Sequence, residues 1–155
     1  MTPAIQILKK TGTAFEAHEY HHDPRTDSYG LEAAAALGVP LEQVFKTLVT
    51  KLDTKELLVA ILPVHKSLDL KALAAAAGVK KADLADVTEA ERTTGYVKGG
   101  ISPLGQRKKL RTIIDENAIT LERMFVNGGR RGLDIALHPT DLVRLCNAHP
   151  AIIAK

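Results

Sequence analysis

A glycine-rich segment is the part of the sequence best suited to bind a reacting group. Residues 95–105 read GYVKGGISPLG and contain four glycines and one proline. Glycine lets a chain bend sharply and lets main-chain N–H groups approach a ligand closely. The amides of Gly99, Gly100, Ile101 and Ser102 could therefore bind an anion or the oxyanion of a reacting carbonyl. The alternative is a purely structural loop, and glycine content alone does not separate the two.

Two charged residues stand inside segments that are predicted to be strands. Lys46 lies in the run VFKTLV, and Asp134 lies in the alternating segment 133–138. A buried charge is costly unless it meets an opposite charge or a polar ligand. Each residue therefore either faces a ligand or alternates outward to solvent, and the pattern favours the outward orientation for Lys46.

Cations flank both glycine turns. The run QRKKLR (106–111) includes Lys108 and Lys109, and Arg130 and Arg131 lie in the segment NGGRRG. Such cations suit phosphate contacts when they lie beside exposed main-chain N–H groups. A solvated, non-binding face is the alternative.

The remaining reactive side chains show no sequence pattern typical of a catalytic nucleophile and its base. His18, Tyr20 and His22 share one face of a predicted strand, which is more typical of a polar strand end than of a metal site. Cys146 lies on the apolar face of a predicted helix and is expected to be a core residue. We therefore expect no metal ion and no nucleophile supplied by the protein.

The elements that must position these residues follow from capping residues, glycines and periodicity. Helices are expected over 3–11, 28–37, 70–77, 88–94 and 139–146, with helical turns at 40–43 and 83–86. Strands are expected over 15–20, 44–52, 57–62, 111–114, 123–126, 133–138 and 151–154, and residues 53–56 should form a hairpin turn. The order predicts a mixed α/β (α+β) fold, a single domain over 1–155 built around a mixed sheet with flanking short helices.

Composition limits the class of protein. The chain has 155 residues, of which 45% are apolar and 25% charged, and its net charge is +3. These values are typical of a globular domain with a mild basic bias. One cysteine fits a reducing compartment, and no apolar run is long enough to span a bilayer. We expect a cytoplasmic protein with no membrane association.

Four segments of the chain read TPAIQILKK, VFKTL, TGYVKGGISPLGQRKKL and NGGRRGLDIAL. Together they resemble the YbaK/EbsC family of Cys-tRNA(Pro)/Cys-tRNA(Cys) deacylases, relatives of the editing domain of bacterial prolyl-tRNA synthetases. The resemblance implies an enzyme without a cofactor that hydrolyses mischarged Cys-tRNA(Pro) in trans. The implied partners are the acceptor end of tRNA(Pro), that of tRNA(Cys) as a second substrate, and prolyl-tRNA synthetase.

The resemblance also implies roles for individual residues. The family's lysine falls on Lys46, and its pocket loop falls on Gly99, Gly100, Ile101, Ser102 and Pro103. Tyr20, Thr47 and Asp134 would bind substrate. Lys108, Lys109, Arg130 and Arg131 would contact tRNA phosphates. The implied reaction is attack by the thiol of the bound cysteinyl group on its own ester. Our hypothesis is that the amides of Gly100, Ile101 and Ser102 receive the oxyanion that develops.

Two other functions fit the same sequence. One is a relaxed deacylase or one directed at Ala-tRNA(Pro), because a single small group changes pocket discrimination only modestly. The other is a non-catalytic module that binds tRNA or a synthetase through the same loop and cations.

Overall fold

The computed structural model describes all residues 1–155 as short helices around two β-sheets. The helices are α1 (Pro3–Lys10), α2 (Tyr29–Leu37), α3 (Leu70–Ala77), α4 (Val87–Thr94) and α5 (Pro139–Cys146). The strands are β1 (Glu16–Glu19), β2 (Phe45–Leu52), β3 (Leu57–Pro63), β4 (Ala82–Leu84), β5 (Arg111–Asp115), β6 (Met124–Asn127), β7 (Leu133–Leu137) and β8 (His149–Ala151). The predicted mixed α/β class is confirmed.

The larger sheet has five strands in the order β4-β2-β3-β5-β8. Strand β2 is antiparallel to both β3 and β4, whereas β5 is parallel to β3 and to β8. The predicted hairpin over 53–56 joins β2 to β3, and Lys55 in it adopts a positive φ of 77°. This sheet is the mixed sheet that the order of elements predicts.

A second sheet was not anticipated. It has three antiparallel strands in the order β1-β7-β6. A single parallel bridge between Val44 and Phe125 connects it to the larger sheet. Both sheets contribute apolar side chains to one shared core cluster, which includes Phe45, Ile61 and Ile135.

Capping residues begin and end the helices largely where the sequence predicts. Thr2 and Asp69 each accept a hydrogen bond from the third residue beyond them, Ile5 and Ala72, at 3.3 and 3.1 Å. Glycines in the left-handed conformation follow α2, α3 and α4. None of the helices has the length and apolar character needed to cross a lipid bilayer.

Two local predictions are wrong. Residues 83–86 were expected to be a helical turn, but 82–84 pair with β2 as the edge strand β4. The next helix begins at Val87, where Asp86 caps it by accepting a hydrogen bond from the Thr88 N–H at 3.1 Å. The expected terminal strand at 151–154 is instead β8, and residue 154 forms only an isolated bridge with Leu68. Pairing with a distant strand decides both cases, and short segments carry little signal for it.

Candidate active site

The main cavity lies where the two sheets meet, along the outer edge of β2. Its volume is about 590 Å³. Its polar and glycine lining comes from four regions that are far apart in sequence: Tyr20, Asp27, Ser28, Tyr29, Gly30, Lys46, Thr47, Lys98, Gly99, Asn127 and Asp134. The fold therefore brings the predicted lysine, aspartate, tyrosine and glycine loop to one cavity.

Lys46 lines this cavity and does not alternate into open solvent. It opposes Leu62 across β2 and β3, and its side chain is only partly exposed. No carboxylate lies within ion-pair distance of its ammonium group. Burial lowers the pKa of Lys46 below its ordinary value. A cation in this state attracts an anionic ligand or a developing negative charge.

Thr47 presents open polar groups beside the lysine. Its hydroxyl oxygen is buried without a hydrogen-bond partner. In an antiparallel pair, alternate residues direct their main-chain N–H and C=O groups toward the partner strand. The hydrogen bond from Val64 N to Val44 O shows that the even-numbered residues from Val44 onward do so toward β3. The main-chain groups of Thr47 therefore point away from β3. No strand pairs with β2 on that side between the Val44 bridge and the start of β4 pairing. This open edge can bind a polar ligand.

Asp134 is a carboxylate buried without a protein partner. It is 3% exposed on β7, opposite His18 on β1 and Asn127 on β6. Loss of solvation raises the pKa of its carboxyl to about 7. The neighbouring Tyr20 also has a raised pKa, because of burial first and of the charge on Asp134 second. A ligand ammonium would compensate the buried carboxylate.

The glycine loop contributes only part of the predicted oxyanion site. Gly99 and Ile101 line the cavity, and their amides donate no hydrogen bond within the protein. The Gly100 amide instead donates to Val97 O at 2.8 Å, so it closes a turn and is not free to bind an oxyanion. The Gly100 N–H group is therefore used by the turn over residues 97–100.

Ser102 and Pro103 do not line the main cavity. Ser102 is fully buried, and its hydroxyl accepts a hydrogen bond from the Leu104 amide at 3.2 Å. Pro103 lines a second, smaller cavity of about 180 Å³, and its carbonyl accepts a hydrogen bond from the Cys146 thiol at 3.4 Å. The expected substrate contact by Pro103 is therefore replaced by a contact with the core, where Cys146 is buried as predicted.

The four predicted tRNA-binding cations separate into two groups. Arg131 contacts two residues that line the main cavity: its Nε donates to Lys98 O at 2.8 Å, and its guanidinium lies 5.4 Å from the Tyr29 ring centre. Arg130 is exposed and forms an ion pair with Glu19 at 2.7 Å. Lys109 lines the second cavity, and Lys108 is exposed beside it in sequence. The structure thus does not bring the 106–111 run to the main cavity.

Several lining residues escaped the sequence analysis, among them Tyr29, Lys98 and Asn127. Tyr29 packs against Gly99, whose missing side chain leaves room for the ring. Asn127 holds the loop by donating from Nδ2 to Gly99 O at 3.3 Å. Lys98 lies inside the glycine-rich segment itself, so its place in the sequence could have identified it as a residue of the site. No sequence signal pointed to Tyr29, which lies at the start of α2.

The cavity contains no activated protein nucleophile. The hydroxyl groups of Ser28, Thr47 and Tyr20 form no hydrogen bond with a histidine or carboxylate. Elsewhere, His22 Nδ1 lies 2.7 Å from Glu32 Oε1, and this pair has no third ligating side chain. No group of three or more His, Cys, Asp or Glu side chains is placed to hold a metal ion. The arrangement can bind, orient and stabilise charge.

Comparison with known proteins places this chain in a family. Residues 23–145 match the family model of the aminoacyl-tRNA editing domain. The chain is 34% identical over 153 residues to an Enterococcus faecalis protein named "Putative Cys-tRNA(Pro)/Cys-tRNA(Cys) deacylase EbsC", covering 98% of this chain and 92% of the relative.

Solved structures share the fold over nearly the whole chain. The crystal structure of hypothetical protein APE2540 superposes with a TM-score of 0.87 at 25% identity, covering 99% of both chains. A "putative trans-editing enzyme for prolyl tRNA synthetase" superposes with a TM-score of 0.85 at 23% identity, covering 100% of this chain and 98% of the other. The family match and the near-full-length relative show that the chain belongs to the aminoacyl-tRNA editing domain family.

Proposed function

We propose that this protein is a trans-editing deacylase that removes cysteine from mischarged Cys-tRNA(Pro), and that it also accepts Cys-tRNA(Cys). The relative from Enterococcus faecalis is named for these two substrates and matches 98% of the chain. The match of residues 23–145 to the aminoacyl-tRNA editing domain supports the same class of reaction.

The observation that carries the proposal is a cavity with charge-stabilising groups and no nucleophile of its own. Lys46, Asp134 and the free amides of Gly99 and Ile101 line it. A hydrolase of this design can act if its substrate provides the nucleophile. Cysteine does so, because a thiol with a pKa near 8.5 is a few per cent thiolate at neutral pH and is strongly nucleophilic.

The reaction is then an intramolecular transfer. The thiol sulfur attacks the ester carbonyl carbon as its proton leaves, the carbon–oxygen bond to the ribose breaks, and the ribose oxygen takes up a proton. The products are tRNA with a free hydroxyl and a thiolactone, which water hydrolyses to cysteine. The thiol and the carbonyl already belong to one molecule, so the cavity needs only to hold them in the attack geometry and to stabilise the charge that develops.

The polar groups of the cavity wall have proposed roles that fit their surroundings. The buried Asp134 carboxylate accepts the α-ammonium of the cysteinyl group, and Tyr20 packs beside it. The amides of Gly99 and Ile101 receive the oxyanion, in place of the Gly100 amide, which closes a turn. Lys46 stabilises negative charge on the leaving ribose oxygen.

The partners follow from the substrate. Arg131 and Lys98 beside the cavity would contact phosphates of the tRNA acceptor end, and such contacts are independent of sequence and sensitive to salt. Because the cavity reads the aminoacyl group, selection of tRNA(Pro) requires a partner that recognises that tRNA. Prolyl-tRNA synthetase fits this role, and we propose that the protein acts in the cytoplasm, where tRNA is charged.

A panel of charged tRNAs tests the proposal. The protein should release cysteine from Cys-tRNA(Pro) and Cys-tRNA(Cys) far above the spontaneous rate and leave Pro-tRNA(Pro) intact. Faster release from Ala-tRNA(Pro) would indicate the alanine-directed alternative. Binding of Cys-tRNA(Pro) without any release would indicate a non-catalytic module and overturn the proposal.

A second substrate tests the chemistry. A tRNA(Pro) charged with S-methylcysteine has no thiol to attack, so it should resist the enzyme although it fits a cavity of this size. Release at the rate of Cys-tRNA(Pro) would instead show that an enzyme-bound water attacks the ester.

A further inference from the structure

The main cavity is longer than an aminoacyl group. Its wall includes every residue of the chain from Val44 to Val49. At a rise of about 3.3 Å per residue, that stretch of β2 spans roughly 17 Å. A cysteinyl group is on the order of 5 Å long, because each covalent bond contributes ~1.5 Å or less. Much of the cavity must therefore hold something else.

Three of the polar lining residues, Lys46, Asn127 and Asp134, lie toward one end of this length. The parallel bridge pairs Val44 with Phe125, so Asn127, two residues beyond Phe125, lies level with Lys46. Asp134 opposes Asn127 on the next strand, β7. The aminoacyl group assigned to Asp134 therefore lies level with Lys46, near the Val44 end of this stretch and about 10 Å along β2 from Val49.

The other end of the cavity is apolar. The Ala85 amide donates to Val49 O at 3.0 Å, which places the segment joining β4 to α4 at this end. Leu48, Leu84, Ala85, Val87 and Ala90 line it, and none of them carries a polar side-chain group. Leu84 is 58% exposed and Val87 is 47% exposed. Large exposed apolar side chains at the mouth of a cavity indicate a binding surface.

We propose that this apolar end binds the base of the terminal nucleoside of the tRNA, and this assignment rests on the proposed function. The scissile ester joins the aminoacyl group to the terminal ribose, and the base extends from the opposite part of that ribose. With the aminoacyl group near Asp134 and the ribose near Lys46, the base reaches Val49, Leu84 and Val87. Its flat faces gain apolar burial against these side chains.

This subsite binds the base without reading its identity. The five apolar residues at this end offer no side-chain donor or acceptor to the edges of a base. All tRNAs end in the same adenosine, so the subsite does not need to distinguish one base from another. The subsite should accept guanine nearly as well as adenine and should lose affinity when the base is missing.

The test uses short acceptor-stem RNAs charged with cysteine that end in adenosine, in guanosine or in an abasic ribose. For the wild-type protein, KM for the abasic RNA should be about tenfold higher than for the adenosine RNA, and guanosine should cost little. Leu84→Ser and Val87→Ser should raise KM for the adenosine RNA while leaving KM for the abasic RNA nearly unchanged.

Two matched variants serve as controls. Ile119 and Ile152 are exposed apolar residues outside the cavity, so Ile119→Ser and Ile152→Ser should not change KM for any of these RNAs. The inference is wrong if wild-type KM is the same with and without the base. It is also wrong if Leu84→Ser and Val87→Ser raise KM equally for the adenosine and abasic RNAs.

A binding measurement separates this inference from the proposed function. In protein labelled at leucine and valine methyl groups, adenosine should shift the NMR signals of Leu84 and Val87, whether or not the protein deacylates tRNA. Deacylation without these shifts would leave the proposed function standing and exclude the base subsite. Shifts without deacylation of any charged tRNA would overturn the proposed function alone.

Discussion

Gly100 packs directly against the main chain of Arg130. A Cβ atom on Gly100 would lie 2.8 Å from the Arg130 Cα and 3.0 Å from its carbonyl carbon. The glycine loop and the turn after β6 therefore touch through their backbones, and Asn127 adds hydrogen bonds to Gly99 O and Arg130 O at 3.3 and 3.1 Å. This contact sets the position of the Ile101 amide relative to β6 and β7.

Gly100→Ala should therefore disturb the site more than the fold. The added methyl must push two backbones apart, at a cost of about 1–3 kcal/mol. Deacylation should fall at least tenfold, and thermal unfolding should shift to lower temperature. Gly78→Ala is the control, because Gly78 has a positive φ of 77° but open space around it at the end of α3. That variant should lose stability and keep full activity; equal activity of both variants would contradict the role of the Gly100 contact.

Lys46→Ala should lower the deacylation rate by about 10²–10³, the range found when one charge-stabilising donor is removed from an active site. Its side chain makes no ion pair, so the fold should stay intact by circular dichroism and thermal unfolding. Lys71→Ala, at an exposed position on α3, should behave as wild type. A wild-type rate for Lys46→Ala would remove Lys46 from the active site.

Asp134 makes stability depend on pH in a direction unusual for a carboxyl group. Its folded pKa of about 7 lies above the ordinary value of 3.8, so the folded protein holds that proton more tightly than the unfolded chain. Unfolding free energy should therefore fall as pH rises from about 4 to about 7, by ~1.4 kcal/mol for each pKa unit.

Asp134→Asn isolates this effect. The variant should be more stable than wild type above pH 7, and the difference should shrink toward pH 4, as measured by urea unfolding across this range. It should also raise KM for Cys-tRNA(Pro), because the amide cannot pair with the α-ammonium of the substrate. A difference in stability that does not change with pH would contradict the raised pKa.

The two groups of cations should differ in their effect on tRNA binding. Arg131→Gln removes a charge beside the main cavity, whereas Lys109→Gln removes one at the second cavity. Arg131→Gln should weaken tRNA binding and reduce the slope of log K against log salt by about 0.7–0.9, the contribution of one phosphate contact. Lys109→Gln should change neither; the opposite pattern would place the acceptor stem against the second cavity.

Local signals were enough to predict most elements and several site residues. Thr2, Asp69 and the helix-ending glycines define helix bounds because capping acts within a few residues of the chain. Lys46 and the loop 99–101 stand out because a charge in a strand and adjacent glycines are unusual wherever they occur. The resemblance to the deacylase family used these same segments.

Tertiary structure decided which of those groups share a cavity. Whether Lys46 faces solvent or a ligand depends on the second sheet, which the Val44–Phe125 bridge places beside β2, and no local pattern encodes that bridge. The same packing turned Pro103 and Lys109 toward the second cavity and used the Gly100 amide in a turn. Residue type and spacing along the chain determine local conformation, whereas the meeting of segments about 90 residues apart, such as Lys46 and Asp134, depends on how complete sheets pack.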